Sequence, residues 1–149
     1  MKKLLFIIVS ILLLSFANAN ANTNTNKKEV IVPNTPESIR PLSKAIEYNN
    51  LIFLSGQIGS DMKTGKMANG IESQTKQILD NISIILESSN SNMDKILKVN
   101  IFVKNINDFD VVNKIYATYF KKPYPARTFI EISKLPLDAL IEIEVVAYK

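Results

Sequence analysis

The chain contains no histidine and no cysteine in its 149 residues. Their absence removes the Ser-His-Asp and Cys-His nucleophile arrangements and leaves no zinc or haem ligand set of the usual kind. Without cysteine, an exported form has no disulfide and holds together by packing alone. Nor is there a basic cluster interleaved with aromatics, which argues against a nucleic-acid surface. Chemistry must therefore rest on Arg, Lys, Asp, Glu, Ser, Thr, Asn, Tyr and backbone groups. What remains is ordinary for a globular protein: the hydrophobic content is 46%, and the length suits one domain.

The first residues read as a targeting segment. Met1-Lys2-Lys3 is a short basic start, and Leu4 to Phe16 is an apolar run broken only by Ser10 and Ser15. Ala17-Asn18-Ala19 and Ala19-Asn20-Ala21 then offer two small-x-small cleavage sites. This is the layout of a secretory signal peptide over residues 1–21, and the run is short for a membrane span. The expected location is the periplasm or the exterior. Cleavage removes Lys2 and Lys3, leaving 16 basic groups against 14 acidic and lowering the net charge from +4 to +2. Residues 22–29, rich in Asn and Thr, are expected to be a disordered leader. The folded domain is expected over 30–149.

Within that domain, Glu29 to Val32 suggests a short strand, and Pro33, Pro36 and Pro41 punctuate a loop. Lys44 to Tyr48 and Leu51 to Leu54 flank Asn49-Asn50, a pair that tolerates positive φ and suits a tight hairpin. Gly56 permits a bulge or a close backbone approach. Asp61 to Gly65 reads as a turn. Ile71, Ile78, Leu79, Ile82, Ile85 and Leu86 mark one face of a helix over 71–86, with Asn69 as N-cap and Glu72 completing a capping box. Ile96 to Lys104 is a strand. A second helix runs from about Asp108 to Phe120 with Phe109, Val112, Ile115, Tyr116, Tyr119 and Phe120 as its stripe. Arg127 to Ile132 and Leu140 to Tyr148 alternate apolar and polar residues and close the chain as strands. The order β-β-β-α-β-α-β-β predicts an α+β fold, a mostly antiparallel sheet with two helices on one face. The other face, carrying Glu142, Glu144, Val146 and Tyr148, is left for water or another subunit.

Three stretches stand out together: Leu54-Ser55-Gly56-Gln57-Ile58; Phe102-Val103-Lys104 through Asn107-Asp108-Phe109 to Asn113; and Pro125-Ala126-Arg127-Thr128 with Leu135-Pro136 and Ile141-Glu142-Ile143-Glu144. In this order and spacing they resemble the RidA family of reactive-intermediate deaminases, also known as the YjgF-like or L-PSP endoribonuclease family. The resemblance runs from about Pro33 to the C-terminus. It implies a chorismate-mutase-like fold and a homotrimer with sites between subunits. It also implies hydrolysis of 2-imino and 2-enamino acids of the 2-aminoacrylate type to 2-oxo acids and ammonia, with no cofactor.

Carried over residue by residue, the resemblance places the family's essential arginine on Arg127 and its water-activating carboxylate on Glu142. Ser55 and Asn113 match polar pocket positions, and the backbone of Phe129 matches a position that helps hold the water. The chemistry suits these residue types. A guanidinium grips a carboxylate through a planar two-point fork that lysine lacks, and a carboxylate can move the protons of an attacking water. Leu42 stands where many deaminating members carry a tyrosine, and Arg40 where they carry glycine. That departure keeps a second reading open, a non-catalytic trimeric module that binds small carboxylates or a partner protein. Plainer readings of single residues stand beside these: Arg127 in a structural ion pair with Glu131 or Glu142, Asn113 as a helix-surface amide, Ser55 as a strand end, and Tyr116 and Tyr119 as core.

Overall fold

The computed structural model describes residues 27–149. The expected signal peptide and most of the expected leader lie outside the described residues. The elements are β1 (Lys28–Glu29), β2 (Ala45–Tyr48), β3 (Leu51–Leu54), β4 (Gln57–Ile58), α1 (Gly70–Glu87), β5 (Ile96–Val103), α2 (Phe109–Tyr119), β6 (Ala126–Glu131) and β7 (Ile141–Tyr148). They form a single sheet in the order β1-β2-β3-β7-β5-β6, with the short β4 pairing β7 beyond the end of β3. All pairings are antiparallel except β5 with β6. The fold is α+β, as the residue pattern indicates.

The alternation of each strand decides where the core sits. Ile52 and Leu54 of β3, Val99, Ile101 and Val103 of β5, and Ile141, Ile143, Val145 and Ala147 of β7 all face the helices and are buried. Against them pack Ile78, Leu79, Ile82, Ile85 and Leu86 of α1 and Val112, Ile115 and Tyr116 of α2. Each such aliphatic side chain contributes about 1.5–3 kcal/mol of transfer free energy, so this single layer supplies most of the driving force. The opposite face carries Ile46, Phe53, Asn100, Phe102, Glu142, Glu144 and Val146, none of them fully buried.

Local signals in the sequence explain most of the element ends. Asn49 turns the β2–β3 hairpin with φ of 53°, the left-handed conformation that asparagine tolerates. Asp61 closes its turn by accepting from the Lys63 and Thr64 backbone amides at 3.0 and 2.7 Å. Asn105 accepts from the Asn107 amide at 3.1 Å and leads the chain through a 3-10 turn into α2.

Three expectations are corrected. Asn69 precedes α1 but its side chain makes no capping bond, and Glu72 instead accepts from Lys76 Nζ at 2.7 Å. The i,i+4 lysine outcompetes the reciprocal bond of a capping box. The short strand expected over Glu29 to Val32 forms instead at Lys28–Glu29, which pair with Glu47 and Ile46 of β2, so it takes in residues of the expected leader. Their backbone groups are satisfied by the sheet edge whatever their side chains, so composition alone could not place them. Gln57–Ile58 forms β4, a fourth strand before the first helix where three were expected.

Two buried amides anchor α1. Gln74 donates from Nε2 to the Ala68 carbonyl at 3.1 Å and accepts at Oε1 from the Leu140 amide at 2.8 Å. Asn81 donates to the Ser60 carbonyl at 2.8 Å. Together they tie the helix to both ends of the loop between β4 and α1 and to the start of β7. At the far end, Lys149 donates from its backbone to the Asn50 carbonyl at 3.1 Å and from Nζ to Glu47 at 2.7 Å. This pair fastens the end of the chain to the first hairpin.

Candidate functional site

The pairing register settles where Arg127 points. Arg127 on β6 lies opposite Val99 on β5, and Val99 lies opposite Val145 on β7. Residues directly opposite across a ladder share a face. Val99 and Val145 are both buried against the helices, so Arg127 projects towards α2. Its guanidinium lies 4.8 Å from the centre of the Tyr116 ring, 5.8 Å from that of Phe109 and 6.0 Å from that of Phe129. Among the described residues it makes no ion pair and no side-chain hydrogen bond. The structural ion pair with Glu131 or Glu142 is therefore not formed. Glu131 accepts from the Ile106 amide at 2.8 Å instead.

Asn113, Tyr116, Ala117, Tyr124, Pro125 and Arg127 line a cavity of about 350 Å³. Asn113, Tyr116 and Ala117 share one face of α2 by their i, i+3 and i+4 spacing, and Pro125 brings the chain from the helix into β6. Asn113 is thus a wall of the Arg127 cavity. Phe129 is held edge-on against Phe109 with ring centres 4.9 Å apart. Its strand β6 is the sheet edge, so its outward backbone groups have no neighbouring strand. Tyr116 belongs to the core, as expected, yet its ring also faces the arginine. Tyr124, which no sequence motif singled out, also lines the cavity.

Glu142 lies on the other face. It pairs with Phe102 of β5 and Ile58 of β4. Its carboxylate rests on Gly56, where even a methyl group would run into it. Gly56 is thus the close approach that its position suggested. Glu142 is half-buried, and this burial raises its pKa above the ordinary value of 4.5; the like charge of Glu144 adds to the rise. Glu144 is engaged separately, accepting from Asn100 Nδ2 at 2.8 Å. Ser55, next to Gly56, donates from Oγ to the Ser43 carbonyl at 2.7 Å, so its hydroxyl holds the β2–β3 hairpin end in place.

The sequence-derived residues therefore fall into two groups. Arg127, Asn113 and Phe129 gather on the helix face at the sheet edge. Glu142 and Ser55 gather on the open face around Gly56. Leu42 belongs to neither: it is half-exposed and lines a separate cavity with Val30, Val32, Thr35 and Lys44. Among the described residues, no group of three or more acidic side chains is arranged to hold a metal ion.

Comparison with known proteins gives these groups a context. The family described as Endoribonuclease L-PSP matches residues 32–149. A RutC family protein of Pyrococcus horikoshii is 44% identical over 124 residues, spanning 83% of this chain and 98% of that protein. A protein of Dermatophagoides farinae named 2-iminobutanoate/2-iminopropanoate deaminase is 37% identical over 119 residues, spanning 79% of this chain and 93% of that protein. The crystal structure of a Rid-family protein from Yersinia pestis superposes with a TM-score of 0.79 at 45% identity, over 83% of this chain and 99% of that one.

Proposed function

The chain belongs to the Endoribonuclease L-PSP (RidA) family, and on that premise we propose that it hydrolyses reactive 2-imino and 2-enamino acids to 2-oxo acids and ammonia. The observation that carries this reading is the unpaired guanidinium of Arg127 at the cavity it shares with Asn113 and Tyr124. A bare arginine fork beside a cavity is a receptor for a carboxylate, which every 2-imino acid carries. The deaminase name of the Dermatophagoides relative supports the same chemistry.

In the proposed reaction Arg127 grips the substrate carboxylate. Glu142 takes a proton from water as the water oxygen bonds to the imine carbon. Glu142 passes that proton to the imine nitrogen, giving an aminoalcohol; as this collapses Glu142 takes the hydroxyl proton and returns it to nitrogen, the C–N bond breaks, ammonia leaves, and the carbon keeps oxygen as a carbonyl. An enamine first accepts a proton on its terminal carbon and becomes the imine. The raised pKa of Glu142 suits a group that must both accept and return a proton. Because Arg127 and Glu142 occupy opposite faces of the sheet, a second copy must supply the missing half. We propose the homotrimer of the family resemblance, with the Glu142 group of one subunit against the Arg127 group of the next. No cofactor enters the scheme. The basic start, apolar run and small-x-small sites of residues 1–21 support export, which N-terminal sequencing of secreted or periplasmic material would test.

The test is release of ammonia and 2-oxo acid from imines generated in situ by an amino-acid oxidase. Arg127→Ala should abolish the acceleration while leaving the assembly intact. Full activity in that variant rejects the assignment. The non-catalytic reading has its own support: the Arg127 cavity of one chain contains no carboxylate. It predicts 2-oxo acid binding without turnover even in the assembled protein.

A further inference from the structure

We propose that Tyr116 is a positioning residue for Arg127, its ring fixing the guanidinium while leaving every N–H free for a substrate carboxylate. The inference deepens the Arg127 reading above, and its ligand-binding part rests on that reading.

A functional arginine needs to be held still. The usual device is an acidic partner, which fixes the fork but occupies its donors and cancels its charge. Arg127 has no such partner among the described residues. Three rings surround it instead, and Tyr116 is the nearest at 4.8 Å. The negative face of an aromatic ring attracts a cation without accepting from its in-plane N–H groups. A guanidinium held this way keeps its charge and its bidentate edge.

Tyr116 is itself immobile. It is 5% exposed, and its ring stacks on Phe120 with centres 4.1 Å apart and planes 22° from parallel. Phe109 and Phe129 are further from the guanidinium, and Phe109 is 40% exposed, so neither is so firm a support. The Tyr116 hydroxyl is buried and has no hydrogen-bond partner. A buried hydroxyl without a partner is a cost to the fold, so the useful part of the side chain is the ring. Burial pushes the phenol up to about 12, and the ring stays neutral throughout the working pH range.

The test compares Tyr116→Phe with Tyr116→Leu. Two readouts are used: the 15N relaxation of the Arg127 Nε–Hε group, and the dissociation constant of pyruvate with KM and kcat for 2-iminopropanoate generated in situ. Tyr116→Phe should keep Arg127 rigid, with pyruvate affinity within about twofold of the wild type and an equal or higher melting temperature. Tyr116→Leu should free the Arg127 side chain, weaken pyruvate binding about tenfold and raise KM more than it lowers kcat, a loss on the scale of one desolvated cation–π contact. Should Tyr116→Leu fold poorly, pentafluorophenylalanine at position 116 keeps the shape with an electron-poor ring face, and should loosen Arg127 to the same extent. An Arg127 as rigid as the wild type in whichever of these two variants folds overturns the proposal. If the wild type binds no pyruvate and turns over no imine, the carboxylate reading falls, while the relaxation data still decide the role of Tyr116.

Discussion

Arg127 and Glu142 project from opposite faces of one sheet, with β5 lying between their strands. No rotamer change brings them together, because the sheet itself is the wall between them. If the two act on one substrate, they do so from different subunits. Co-refolding Arg127→Ala with Glu142→Gln subunits should then restore activity that neither variant has alone. Random 1:1 mixing in a closed ring leaves about a quarter of the interfaces with both native groups, so about a quarter of wild-type activity is expected. No recovery in mixed assemblies would show that the site lies within a single chain.

Replacing Arg127 by lysine tests the fork rather than the charge. Lysine offers one point charge where the guanidinium offers two parallel donors. Losing one or two charge-assisted hydrogen bonds predicts a fall in kcat/KM of about 10²–10⁴-fold for Arg127→Ala, with Arg127→Lys close to it. Steady-state kinetics on imines generated in situ would check both values.

Glu142 should set the acid limb of the pH profile. Its carboxyl titrates above the ordinary 4.5, through burial first and the Glu144 charge second. A base must be ionised, so kcat/KM should decline on acidification at a pH above 4.5. Glu144→Gln keeps an oxygen for Asn100 but removes the like charge, and should move that limb to lower pH. The same shift bears on stability. A carboxyl raised in the folded state favours its neutral form, so its contribution is present below the unfolded value and is lost as pH rises through the folded value. Glu142→Gln should therefore raise the melting temperature at pH 7 by about 1–3 °C, a small gain because the group is half-solvated, and should give no gain at pH 4.

Gly56 leaves room for only a hydrogen atom beneath the Glu142 carboxylate. Gly56→Ala should displace that carboxylate and leave the core untouched. The expected result is a loss of at least about tenfold in kcat, on the scale of general acid–base help, with the sheet spectrum unchanged. A fully active Gly56→Ala variant would remove Glu142 from the mechanism.

Gln74 bridges the Ala68 carbonyl and the Leu140 amide from a buried position. Gln74→Ala strands both backbone groups and should cost about 2–4 kcal/mol, measurable by urea unfolding. Gln74→Glu keeps only the acceptor side of the bridge and should destabilise as well, because it also buries a charge beside the Ala68 carbonyl.

Much of this architecture was readable from residue patterns. Asn49-Asn50 announced the hairpin, and the alternation of Ile141 to Val145 separated the buried face of β7 from its carboxylate face. The motifs around Arg127 and Glu142 marked the two residues on which the proposed reaction rests. Their relation in space was not readable. Alternation fixes phase within one strand, and it does not say which phase of β6 matches which phase of β7. That depends on the parallel β5–β6 register, a product of the α2 crossover and of no residue in either motif. The role of Tyr116 was hidden for a related reason: an apolar stripe on a helix marks the core, and nothing in its periodicity shows that one ring of the stripe lies under a cation.

β7 follows both of its neighbours in the chain yet occupies the middle of the sheet. β7 lies between β3 and β5, and Lys149 reaches back across 102 positions to Glu47. A chain emerging N-terminus first has no central strand to assemble on until residues 141–148 are available. The two ends of the sheet wait for each other, and local contacts alone cannot close the fold early. Closure of the sheet therefore waits on β7, whose pairing joins the β1-β2-β3 side to the β5-β6 side.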